Sequence, residues 1–230
     1  VKKLSIVVVL AAMTLCSASQ VLANDGDPVV AFGDEGRISI APPNLGDDIM
    51  GEHVITDSEG RIVSITNVRP PMCPSGDITV RRFLSDGSPD PSFVVTTHTA
   101  PNNRGFSVMD LDIDEFGAVL LTGFMASCSG PSTPMGFVMK LSTTGVLDPT
   151  FDGPGANCVG SGTGNGLATF DFVDSLSLSE LHVRADGRYV VNGGRDNGDL
   201  TLLTIDQNAG GCAMSDADEY LVNISPGGSR

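Results

Sequence analysis

Tryptophan is absent from this 230-residue chain, and aromatic residues make up only 5% of it. A sugar-binding surface built on stacked aromatic platforms therefore has little to draw on. Basic residues are scarce as well: 13 Lys and Arg stand against 28 Asp and Glu, a formal net charge of −15. Such a chain repels polyanions, which argues against nucleic acid or an anionic membrane surface as a partner. No segment holds the ~20 consecutive apolar residues of a membrane-spanning helix, so no membrane insertion is expected. Helical periodicity is also missing, which predicts a low helix content. There is no CxxC spacing, no G-x-S-x-G and no phosphate-loop lysine. The familiar zinc, serine-nucleophile and nucleotide signatures are thus excluded.

The first 23 residues read as a signal peptide. Lys2 and Lys3 form a basic start, Leu4 to Leu15 an apolar core, and Val21-Leu22-Ala23 a small-residue cleavage site. Residues 24–230 then form one exported domain, periplasmic or extracellular. Four cysteines remain in it, Cys73, Cys128, Cys158 and Cys212. An even count in an oxidising compartment implies two disulfides, for which three pairings exist. Cys73 and Cys128 precede Gly76 and Gly136, while Cys158 and Cys212 follow later turns. Neighbouring units bring like loops together, so the expected pairs are Cys73–Cys128 and Cys158–Cys212.

That argument depends on the chain repeating itself about every 60 residues. Gly76-Asp77-Ile78-Thr79-Val80-Arg81-Arg82-Phe83 is followed by Asp90-Pro91-Ser92-Phe93. Gly136-Phe137-Val138-Met139-Lys140-Leu141 is followed by Asp148-Pro149-Thr150-Phe151, and Gly198-Asp199-Leu200-Thr201 opens a third closing segment. Periods of this length signal stacked supersecondary units. Within each unit, short apolar runs alternate with Asp-Gly or Asn-Gly turns, the mark of hairpins. The boundaries are an extra strand at 28–42, a first repeat at 43–100, a second at 101–173 and a third at 174–226. Gly153 to Gly166 reads as an insertion ahead of the second unit's last strand.

The set Asp57-Ser58-Glu59-Gly60-Arg61, Asp186-Gly187-Arg188, Asp90-Pro91-Ser92-Phe93 and Asp148-Pro149-Thr150-Phe151 resembles the delta-60 repeat family over residues 28–224. The resemblance implies a β-propeller of four-stranded blades. The third unit departs from it, because no Asp-Pro-Thr-Phe follows Gly210. The expected fold is all-β: a propeller-like array of about three four-stranded antiparallel blades plus the N-terminal strand. Closed propellers have roughly four to eight blades, so three suggest self-association to complete a ring. The family implies no catalytic residues.

Two groups of side chains invite a chemical reading. Asp110, Asp112 and Asp114 alternate as in a calcium loop, but Gly117 comes late for one. The same pattern fits an amphipathic strand with Leu111 and Ile113 inward. Asp196 to Asp199 and Asp216 to Glu219 add further oxygen-rich turns. His53 and His182 fall on the first strands of their units. Converging in a central channel with a carboxylate, they would form an acid–base pair. The expectation is a non-catalytic exported scaffold or interaction protein whose ligand is an unidentified protein or extracellular molecule. The alternatives are a hydrolase or lyase and a calcium-stabilised adhesion module. No cofactor is expected, calcium excepted.

Overall fold

A computed structural model describes residues 30–41, 48–70, 73, 75–130, 133–151, 166–170, 176–195 and 200–206. These residues form eleven strands and no helix, in three antiparallel sheets. The first sheet is β1 (Asp48–Thr56), β2 (Ile62–Arg69), β3 (Asp77–Phe83) and β4 (Thr96–His98), paired in chain order. The second is β5 (Arg104–Ile113), β6 (Val119–Ser127), β7 (Met135–Leu141) and β8 (Leu167–Phe170). The third is β9 (Leu176–Val183), β10 (Arg188–Arg195) and β11 (Leu200–Asp206). The fourth strand expected for the third unit near Glu219 to Ile224 lies outside the described residues, as do the expected signal peptide, the expected Cys158–Cys212 pair and the oxygen-rich stretches at 196–199 and 216–219.

Each first hairpin turns where the sequence places Gly after an acidic stretch. Gly60, Gly117 and Gly187 adopt φ of 76°, 84° and 82°, a region open to Gly at no steric cost. Their N–H groups bond the carbonyls of Asp57, Asp114 and Arg184, so the three turns are bonded alike, residue for residue. The ladders then fix the equivalences further along. Ile62 pairs with Phe83, Val119 with Leu141, and Tyr189 with Ile205. On this register Gly76 corresponds to Pro134, not to Gly136.

The second sheet is buried on both faces. Val119, Leu121, Met125, Phe137 and Met139 join β2, β3 and β5 residues in one cluster. Leu120, Val138, Ala168 and Phe170 face a second cluster with Leu178, Tyr189 and Val191 of the third sheet. Burial on both sides explains why β6 opens on an unbroken apolar run rather than on alternation. Phe106 and Phe137 meet edge-to-face, centroids 4.9 Å apart, in the first cluster.

Backbone approach and a covalent link join the first two sheets. Gly76 and Phe106 exchange both backbone bonds, and Asn67 Nδ2 donates to the Phe106 carbonyl at 2.6 Å. A Cβ on Gly76 would overlap the Val68 carbonyl, and one on Gly105 the Ser75–Gly76 peptide. Cys73 and Cys128 form the expected disulfide, Cα atoms 4.6 Å apart. Such a bond fits an oxidising compartment. No helix among the described residues is long and apolar enough to cross a membrane.

The expected N-terminal strand is corrected. Residues 30–41 hold only isolated bridges, Gly33 and Asp34 with Arg37. Gly33, Glu35 and Gly36 all have positive φ, so the chain coils back instead of extending. The segment docks on the first unit much as the Phe93 segment docks on the second. Gly33 N bonds Asp86 O, and Phe32 lies against Gly87. In the same way Val94 N bonds Thr144 O, and Phe93 lies against Gly145.

Candidate functional site

The first strands of the three sheets carry most of the polar chemistry, and each reaches toward the next. β1 contacts β5, and β5 contacts β9. β9 needs hydrogen-bond acceptors along the edge it turns to β5, and Asp110 and Asp112 supply them. Leu181 N donates to Asp110 Oδ2 at 2.8 Å, and Val183 N to Asp112 Oδ2 at 2.9 Å. The other oxygen of each caps its own strand, from Leu111 N and Ile113 N, both at 2.8 Å. Four backbone donors are thus satisfied by two carboxylates, where leaving them bare would cost stability. Glu52 of β1 plays a similar part, accepting Val108 N at 3.1 Å. Burial raises the Glu52 carboxyl above the usual carboxylate range, although the Val108 N–H and Arg69 pull the other way.

Asp114 serves a different end. Its Oδ1 accepts Phe116 N and Ala118 N, closing the β5–β6 turn. Its Oδ2 lies 3.6 Å from Lys140 Nζ and 3.4 Å from the Tyr189 hydroxyl, which donates to it. Among the described residues, no group of three or more His, Cys, Asp or Glu is arranged to hold a metal. Calcium at Asp110 and Asp112 would have to displace N–H donors already bonded there.

The Asp-Pro-Ser/Thr-Phe segments are built on a buried cation. Arg82 Nε meets Asp90 Oδ2 at 2.7 Å with side chains 3% and 4% exposed. Asp90 Oδ1 accepts Ser92 N and Oγ, and the guanidinium lies 4.7 Å above the Phe93 ring. Burial disfavours the Asp90 charge, but the Ser92 donors and then Arg82 outweigh it and lower its pKa to about 2. In the second sheet Lys140 replaces Arg82, 3.6 Å from Asp148 Oδ2. Both cations face an acid and both are buried. The third sheet has Thr204 at this position and Arg184 where the others have Asp57 and Asp114.

His53 and His182 do not line a common groove. His182 borders an open groove of about 570 Å³ with Met109, Asp110, Ser179, Glu180 and Asn192. Within it Ser179 Oγ donates to Asn192 Oδ1 at 2.9 Å, and Asn192 Nδ2 to Glu180 Oε2 at 2.7 Å. His53 is not among the lining residues and neighbours Glu52 instead. His98 is buried beside Thr96, and burial lowers its pKa. Glu52, Ser179 and Asn192 carry no motif that marks them in the sequence. Aligning the strands on their turn glycines would have put Glu52 at a β-bulge, beside Met109 and Ser179 in the other sheets. Comparison with known protein families and with curated proteins finds no match to this chain.

Proposed function

We propose that this chain is an exported, non-catalytic scaffold, an array of propeller-type blades that offers faces and strand edges to a protein or other extracellular ligand. The observation that carries the reading is how the first-strand acids are used. Asp110, Asp112 and Glu52 are bonded to backbone N–H groups of the adjoining sheet, holding sheet to sheet rather than facing a substrate. The Cys73–Cys128 link between the first two sheets supports export. Signal-like residues at 1–23 and the delta-60 resemblance support the same reading.

One observation favours a second reading. His182 and Glu180 share a groove with Asp110 and Ser179, which are residue types that hydrolases and lyases use for proton transfer. The two readings part in one assay. The purified protein is offered chromogenic esters, phosphate esters and glycosides, and in parallel its retention of exported proteins is titrated. The scaffold reading expects saturable retention and no turnover that His182→Ala changes. Turnover abolished by His182→Ala would replace it with the catalytic reading.

A further inference from the structure

We propose that the outer edge of β1 seats β9 of a second copy of this chain, through the bond type that joins β5 to β9 within one chain. The proposal rests on reading the three sheets as successive members of one array. Counted back from the identically bonded turns, His53, Asp110 and Glu180 are equivalent, and likewise Ile55, Asp112 and His182. The reach has one direction. Glu52 bonds forward to Val108 N, and Asp110 and Asp112 bond forward to Leu181 N and Val183 N.

β9 carries the same equipment with no strand ahead of it among the described residues. Glu180 and His182 are exposed. One Glu180 oxygen is held by Asn192 Nδ2, which orients the carboxylate and leaves its other oxygen open to a donor. A neutral imidazole at His182 accepts an N–H as well. β1 carries the complement. Val54 and Thr56 are the equivalents of Leu181 and Val183, so their N–H groups point away from β2. Val54 is 70% exposed and Thr56 is exposed. A strand edge with unpaired donors and an exposed Val is a site for pairing. The occupant that matches it in register and direction is β9 of another copy, since the β5–β9 junction already shows the fit. Two chains joined this way would set six sheets in sequence, within the ~4 to 8 blades that close a propeller. The ring would have twofold symmetry and two such junctions.

The test is solution mass by light scattering after size exclusion. The purified protein is run alongside Val54→Glu, Glu180→Arg and the double variant. The expected result is a two-chain mass for the wild type and a single-chain mass for each single variant. The double variant returns to two chains, because the two new charges attract. A single-chain wild type overturns the proposal, as does a two-chain mass unmoved by either single variant. A double variant that stays single-chain overturns direct pairing of these two positions. Asp110→Asn separates this failure from failure of the array reading. It lowers the melting temperature if the sheets are joined as described, whatever the solution mass, and leaves it unchanged if they are not.

Discussion

Asp110 and Asp112 show how little a residue type says until its neighbours are known. Alternating aspartates fit a cation loop and a strand edge equally well, because both need closely spaced oxygens. Here each carboxylate accepts two backbone N–H groups, one from its own strand and one from β9. An amide of the same shape keeps one acceptor and turns an NH2 toward the other donor. Asp110→Asn therefore destabilises by about 1.5–3 kcal/mol, the usual worth of a hydrogen bond to a charged group. Asp112→Asn behaves alike, and urea unfolding measures both; a change below about 0.5 kcal/mol would mean these bonds are not made in solution.

At the scale of the strand, the glycines opposite the bulges set how closely two backbones approach. Gly123 pairs with Val108 beside the β5 bulge, and Gly193 pairs with Leu178 beside the β9 bulge. A Cβ on Gly123 would overlap the Ser107 carbonyl, and one on Gly193 the Ser177 carbonyl. In the first sheet the small residue has changed sides, with Gly51 opposite Thr66. Gly123→Ala forces the β5–β6 pair apart and costs about 1–3 kcal/mol, the range for overpacking. Thermal unfolding reads it, with Gly51→Ala as the control, since a Cβ there meets nothing within 4 Å. Equal losses in the two variants would mean the close approach is not what matters.

Over the whole molecule, the disulfide ties the first two sheets together, and two buried ionisable groups make stability depend on pH. Cys73 and Cys128 are separated by 55 residues. Closing a loop of that length restricts the unfolded chain by about 4 kcal/mol in the chain-entropy account. Reduction, or Cys73→Ser with Cys128→Ser, lowers the unfolding free energy by about 2–4 kcal/mol. An unchanged denaturation midpoint in dithiothreitol would contradict this. Acid acts through Asp90 and His98. Asp90 has a folded pKa of about 2, below its unfolded value of about 3.9, so its contribution is full above about pH 4. That contribution falls away as pH drops through about 2. Burial lowers the His98 pKa, so the unfolded state binds the proton first and stability declines as pH falls below about 6.5. His98→Gln removes the upper decline and Asp90→Asn the lower; a stability profile unchanged in both would refute the assignment.

Much of the architecture was legible in the chain. Asp-Gly turns at known spacing mark hairpins because left-handed backbone selects Gly, and apolar runs between them mark strands. This local chemistry marks the hairpins that become β1–β3, β5–β7 and β9–β11. It also paired Cys73 with Cys128, since like loops of neighbouring units meet. The segment at 30–41 escaped because its turn residues compete with an apolar pattern, and only docking on Gly87 decides between coil and strand. The site escaped for a related reason. Whether Asp110 holds an ion or a strand, whether Arg82 is solvated or buried, and whether His53 meets His182 depend on which sheet lies alongside. Periodicity reports the two faces of a strand; its edges, where these hydrogen bonds form, are settled only when the sheets assemble.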